Sequence, residues 1–322
     1  GLATSDAMDA RFRIALGLAV SLAAAALGAA CLGHDPDMTV RLEDRVDIGA
    51  VQGMSSPTPS AGALRIAIAG VMSPSRTLDA YDQLLAYLGH RLDLKVTVDQ
   101  RSSYAEVNDL LRTGQADLAF VCSRAYLEGK SQFGMELLLA PEVNGDRVYY
   151  SYLIVQADSP AVSLADLRGK VFAFSDPLSN SGKLVPEYQL FTMGDTPSSF
   201  FERYEYTGSH DNSILAVAEG LVDGAAVDSL VYDYVLARNP ELAERVKVIE
   251  RWGPYGIPPL VVAPGLDPAL KERVRDALLG MDADPEGRRA LDALGIDRFI
   301  PIDDSAYDSI RQMVLALGEA GR

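Results

Sequence analysis

From Leu64 onward the apolar residues keep changing period, and each change marks an expected element. Leu64-Arg65-Ile66-Ala67-Ile68-Ala69-Gly70 reads as a short buried strand with a glycine at its end. Leu78, Tyr81, Leu84, Leu85, Leu88 and Leu92 then fall at helical spacing, and Leu94 to Val98 alternates like a strand. Further strands are expected near Met135–Ala140, Val148–Val155, Val171–Phe174 and Val246–Ile249, with another apolar run at Leu260–Ala263. Ser163 with Asp166 opens a short helix, and a loop and helix occupy Ser175–Gly194. Asp267 and Pro268 form an N-cap and first-turn pair for a helix reaching Gly280. Two more helices are expected near Glu286–Leu294 and Ser305–Leu317. Strand and helix alternate throughout, which predicts an α/β chain with mostly parallel sheets.

Within this alternation one unit occurs twice. Residues 102–126 and 208–232 align without a gap and share Ser103/Ser209, Gly114/Gly220, Asp117/Asp223, Ala119/Ala225, Val121/Val227, Ser123/Ser229 and Tyr126/Tyr232. Each copy reads as a helix opened by a serine N-cap and closed by a glycine, then a short buried strand ending at a polar residue. Ser103 with Glu106 makes the capping box explicit in the first copy. Two copies are too few for a solenoid and fit two similar α/β lobes. Tyr104 and His210 hold equivalent places just inside helix N-termini, where unpaired backbone N–H groups favour anions. Facing lobes with such ends predict a cleft that closes on a small negative ligand.

Charge and composition narrow the partners. The 322 residues carry a net charge of −16, with 48% hydrophobic and 23% charged residues. That balance supplies two ordinary cores and argues against nucleic acid, which needs clustered Lys and Arg. Arg11 and Arg13 precede an apolar run from Ile14 to Leu27 and the small residues Gly28, Ala29 and Ala30, a secretory signal pattern too short to span a bilayer. Gly28-Ala29-Ala30-Cys31 resembles a lipoprotein cleavage site with Cys31 as the lipidated residue, although Leu27 stands one position early; simple secretion is the alternative. Residues 1–31 are thus expected to be a signal and lipidation region, and the Pro-, Gly- and Ser-containing 32–62 a flexible tether. Cys122 reads as a plain core thiol.

The segment from Ser175 to Tyr188 leaves a buried strand for a helix, the place where open α/β sheets bind ligands. Ser179, Asn180 and Ser181 offer side-chain donors there, Gly182 permits close backbone approach, and Pro186 lacks an N–H in the early helix. A helix cap with no ligand is the alternative reading of these residues alone. The phosphate-cradling Gly-rich spacing is missing. Three histidines, two of them His34 in the tether and His90 on a helix, make a metal site weak. Ser181, His210 and Asp211 lack a nucleophile elbow, which weighs against hydrolysis. Tyr126 and Tyr232 suit core packing as well as ligand contact.

Ser179 to Pro186, Ser209-His210-Asp211 and Tyr104 to Val107 together resemble the phosphate/phosphite/phosphonate-binding proteins of ABC importers. Ser73 to Leu78, Tyr149 to Val155 and Gly256 to Val262 support the resemblance, which spans roughly residues 64–300. It implies the two-lobed periplasmic-binding-protein fold of type II, with lobe I at 63–152 plus 259–322 and lobe II at 153–258. Crossovers are expected at Tyr150–Leu153 and Pro258–Leu260. The resemblance further implies a phosphorus oxyanion held by Tyr104, Tyr149, Ser179, Asn180, Ser181 and His210, with Ser123 carried along. Asp228 matches the acidic position that meets an amine in aminoalkylphosphonate binders. Cys122-Ser123 departs from the glycine-proline pair of many relatives. The expected protein is an extracytoplasmic, monomeric, non-enzymatic binding protein without cofactor, partnered by an importer permease; a sensing module for a membrane kinase is the alternative.

Overall fold

The computed structural model describes residues 62–71 and 74–320, with the side chains of 72–80 and 319–320 excepted. The leader, Cys31, the tether up to residue 61 and Ser73 lie outside the described residues. Among the described residues eleven strands follow in chain order: β1 (Ala63–Ala69), β2 (Lys95–Arg101), β3 (Leu118–Phe120), β4 (Glu136–Glu142), β5 (Val148–Gln156), β6 (Val171–Phe174), β7 (Arg203–Tyr206), β8 (Gly224–Asp228), β9 (Val246–Gly256), β10 (Leu260–Val262) and β11 (Arg298–Ile300). They form two sheets, one ordered β11-β4-β10-β3-β1-β2 and the other β7-β6-β8-β5-β9, giving a two-lobed α/β molecule.

The expectation of mostly parallel sheets needs correction. Parallel pairing is confined to β1 with β2 and β3, and to β6 with β7 and β8. Every other pairing is antiparallel. Parallel neighbours require a long crossover, usually a helix. The chain has such crossovers only inside each lobe, as in the helix Tyr104–Arg112 between β2 and β3. Where it passes from one sheet to the other, residues 143–147 and 257–259, there is no intervening helix. The transit strands therefore enter antiparallel: β5 pairs with both β8 and β9, and β10 lies between β3 and β4.

Each copy of the repeat supplies one strand of a parallel core, β3 in β2-β1-β3 and β8 in β7-β6-β8. Helices Tyr104–Arg112 and His210–Ala218 follow the N-caps Ser103 and Ser209, whose side chains accept from the N–H groups of Glu106 and Asn212. Gly114 and Gly220 turn the chain out with φ of +67° and +71°, a conformation that favours glycine. The shared aspartates then tie strand to strand in the same manner. Asp117 accepts the Arg65 backbone N–H at 2.8 Å and Asp223 accepts that of Val171 at 2.8 Å. β7 and β11 were not legible from periodicity, since β7 is an exposed edge strand and β11 has three residues.

One apolar cluster, including Leu64, Leu84, Leu118 and Phe299, fills the first lobe, and Ile154, Ile214, Val227 and Val235 pack the second. A further cluster unites residues of both sheets, with Ala67, Val107 and Tyr126 beside Tyr149, Leu184 and Tyr255. The lobes thus meet over a continuous apolar contact around the cleft.

The repeated aspartates should differ in cost. Asp117 is buried and also grips the Arg65 guanidinium at 2.6 Å, whereas Asp223 is exposed. Asp117→Ala should lower stability by about 2–3 kcal/mol in urea unfolding and Asp223→Ala by about 1 kcal/mol or less, since only the first strands a charge and a buried donor.

Candidate functional site

The turn after β6 is built around its serines. Ser179 caps the following helical turn by accepting the Gly182 N–H at 3.0 Å. Residues 180–184 wind as a π-turn, with the Leu184 N–H reaching back to the Ser179 carbonyl at 3.0 Å, before the helix Val185–Thr192 begins. Such widened turns recur at functional sites because they re-aim side chains. Gly182 is required here: a Cβ at this position would stand 2.0 Å from Ser175 Oγ and 3.0 Å from His210 Cε1. Ser175 Oγ and Asn180 Oδ1 are buried without a hydrogen-bond partner, a donor and an acceptor facing the same turn.

His210 opens the helix of the second repeat and is 2% exposed. Its Nδ1 accepts the Asp228 backbone N–H at 3.1 Å, so the neutral ring must carry its proton on Nε2. Burial holds its pKa down to about 4 against a weaker opposing pull from Asp211, which keeps the ring neutral at ordinary pH. The same residue's backbone N–H donates to the Val71 carbonyl of the first lobe at 3.1 Å.

Tyr104, Tyr149 and Asp228 converge with Cys122. Both phenols are fully buried, and their pKa values are pushed well up by burial first and then by Cys122 and Asp228. Asn180 Nδ2 donates to the Tyr149 hydroxyl at 2.8 Å, leaving that phenol proton for another acceptor. Asp228 uses Oδ1 to cap the helix Ser229–Arg238, accepting from Leu230 and Val231 at 2.8 and 3.3 Å. Burial nonetheless raises its pKa to about 7.

Most of the expected site residues therefore share one buried cluster. Ser123 belongs to it as well: its hydroxyl donates to the Gly256 carbonyl at 2.7 Å, at the end of a transit strand, and it also lies against the Tyr149 phenol. Ser181 lends its carbonyl to Ser151 Oγ at 2.7 Å, which fixes the turn against β5. Two residues escaped notice in the sequence. Asp176 places Oδ2 3.3 Å from the Tyr104 backbone N–H, so a carboxylate of the second lobe occupies the helix end of the first. Cys122, read as a plain core thiol, lies between the lobes, donating to the Leu178 carbonyl at 3.4 Å and accepting the Asn180 N–H at 3.3 Å. The repeat held the signal for Cys122, because it aligns with Asp228 and takes the same N-cap place. Nothing in the pattern around Asp176-Pro177 distinguished it from an ordinary turn.

The arrangement collects neutral donors, from imidazole, phenol, amide and hydroxyl, around a carboxyl that titrates near neutrality. Among the described residues no lysine or arginine is buried. This chemistry suits a small oxyanion that carries its own proton, because hydrogen bonds to an ionised acceptor are strong without a counter-ion.

The two titrating groups pull stability in opposite directions. The folded state holds the Asp228 proton more tightly than the unfolded chain, so that contribution is full below about pH 4 and lost as pH rises through about 7. The His210 contribution is full above about pH 6.5 and lost as pH falls through about 4. Asp228→Asn keeps a capping side chain and removes the first titration. In thermal unfolding, the variant should therefore gain on the parent as pH is raised from 4 to 8.

Comparison with known proteins gives the family and the fold. Residues 66–307 match the model of the family described as ABC transporter, phosphonate, periplasmic substrate-binding protein. The chain is 29% identical over 260 residues to the phosphonates-binding periplasmic protein of Escherichia coli, covering 79% of this chain and 76% of that one. It is 28% identical over 259 residues to the phosphate-import protein PhnD of Mycolicibacterium smegmatis, covering 73% and 79%. A binding-protein component of an ABC phosphonate transporter from Pseudomonas aeruginosa superposes with a TM-score of 0.75 at 26% identity, covering 79% of this chain and 86% of that one. With three quarters of its length matched and the two-lobed fold shared, the chain belongs to the periplasmic phosphonate substrate-binding protein family of ABC transporters.

Proposed function

We propose that this protein captures a small phosphorus oxyanion (phosphite, phosphate or an alkylphosphonate) between its lobes and hands it to an importer permease. The observation that carries the reading is the His210 ring, buried, neutral and oriented by the Asp228 amide so that Nε2–H is free to donate beside the Ser179–Gly182 turn. Ser179, Asn180 and Ser181 supply the rest of the second-lobe half of the site, and the Tyr104 and Tyr149 phenols cover it. Asp228 would repel a bare anion, so it favours ligands with an O–H or N–H to donate. The names of the two relatives, one for phosphonates and one for phosphate, support the class without ranking its members. Membership of a transporter family favours import over the sensing alternative.

In this reading the lobes divide at the two transits, 143–147 and 257–259, rather than inside β5 at 150–153, and ligand is trapped by hinge closure with no bond made or broken. The paired ends of β5 and β9, where Val148 meets Gly256, support a hinge in that region. The leader motif supports export, with Cys31 as a lipid anchor and the tether spanning to the folded part. The protein acts as a monomer at the membrane surface.

Calorimetric titration with phosphite, phosphate and methylphosphonate tests the site. His210→Ala and Ser181→Ala should each weaken the best ligand by roughly tenfold to a hundredfold, the cost of deleting one donor to a charged group. Folded variants that bind every oxyanion as tightly as the parent would overturn the assignment. Closure has its own readout. Ligand should contract the parent in small-angle scattering, and Tyr104→Phe, which deletes only a hydroxyl, should weaken binding and reduce contraction at equal ligand concentration.

A further inference from the structure

Next to His210 lies a second space that the oxyanion reading leaves unused. A cavity of about 430 Å³ opens between the lobes, lined by Tyr81, Phe120 and Val121 from the first and by Leu230, Val231 and Tyr234 from the second. It is continuous with the site through two residues. Val71 and Asp228, which hold the His210 backbone N–H and Nδ1 at 3.1 Å each, both line this cavity. The Asp228 carboxyl also acts on the Tyr104 and Tyr149 phenols, so this lining residue of the larger space lies near the oxyanion site as well.

The lining decides what the space can take. Its walls are aliphatic and aromatic, with Asp228 and Asp233 as the carboxylates. Its one lining arginine, Arg238, stacks on the Tyr234 ring 3.7 Å from the centroid. A second anion would face two carboxylates across an apolar wall, which excludes a further phosphate subsite. The volume lies within the usual range for small-molecule pockets, roughly 300–1,000 Å³, and far exceeds what one methyl group fills.

We infer that this cavity is a substituent chamber, and that the preferred ligand is a phosphonate with a hydrocarbon group larger than methyl, of the n-butyl or phenyl class. The inference rests on the oxyanion reading, which supplies the head-group site. The phosphorus end sits at His210 and the carbon chain passes Asp228 into the apolar space, removing its surface from water.

The test titrates phosphite, methyl-, n-butyl- and phenylphosphonate into the full chain and into Ala237→Trp, with circular dichroism as the check on folding. Ala237 lines the cavity and is none of the head-group residues, so a tryptophan there is chosen to narrow the chamber. Affinity of the parent should rise from methyl to n-butyl by roughly fourfold per methylene, the fold-change equivalent to about 0.8 kcal/mol. Ala237→Trp should abolish that rise and leave methylphosphonate unchanged. The chain-length series on the parent stands even if the variant fails to fold. Methylphosphonate bound as well as or better than n-butyl- and phenylphosphonate overturns the chamber and leaves the oxyanion site intact. Equal weakening of methyl and n-butyl by Ala237→Trp also overturns it. Binding of none of the four ligands overturns both readings together.

Discussion

The hydrogen bond from the Asp228 amide to His210 Nδ1 organises the site. A buried imidazole could present either nitrogen, and a buried carboxyl beside it could make the ring cationic. The amide removes both freedoms, because it needs a lone pair at Nδ1 and so confines the proton to Nε2. Burial then keeps the ring neutral, with a pKa of about 4. The bond also fixes β8 against the helix that follows Ser209, and the same histidine's backbone N–H joins Val71 of the other lobe. Moving His210 would therefore disturb the second-lobe core, the lobe contact and the donor geometry together.

A protein of net charge −16 that concentrates oxyanion chemistry in its cleft must do so by local dipoles. The first-lobe helix end illustrates the competition this creates. The Tyr104 N–H faces Asp176 Oδ2 at 3.3 Å, so the favourable field of the helix start acts on an internal carboxylate. Burial raises the Asp176 pKa, and the backbone N–H groups of Leu178 and Tyr104 lower it in part. At the second-lobe helix start the His210 N–H meets only the neutral Val71 carbonyl, and Ser175 Oγ is buried without a partner. An anion consequently gains more from the second lobe, and the phenols of Tyr104 and Tyr149 complete its enclosure.

Much of this was legible because the repeat constrains backbone and chemistry at once. Serine N-caps and glycine exits are local devices, each readable from a few residues, and they occupy their expected places. Sheet direction was less legible, because alternation of strand and helix predicts parallel pairing only while the chain stays within one lobe. Strands such as β5 and β10 change lobes, and their direction is set by that transit. Within the site, Asn180 and Tyr149 share a bond across 31 residues that no periodicity encodes. The bond of the Ser123 hydroxyl to a backbone carbonyl 133 residues away was equally hidden.

The same repeat explains why the two halves of the cleft are not equivalent. Cys122 and Asp228 stand at matching N-caps after equivalent strands of the repeat, yet one offers a weakly polar thiol and the other a carboxyl. The thiol, its pKa raised by burial to about 11, stays protonated and bonds the opposite loop through Leu178 and Asn180. Asp228 instead satisfies its own helix with Oδ1 and titrates near pH 7. Tyr104 and His210 differ along the same line, a phenol that covers and an imidazole with a fixed donor. One ancestral-looking frame thus yields a recognising half, where charge and tautomer are set, and a covering half, where apolar bulk and weak polar contacts meet it.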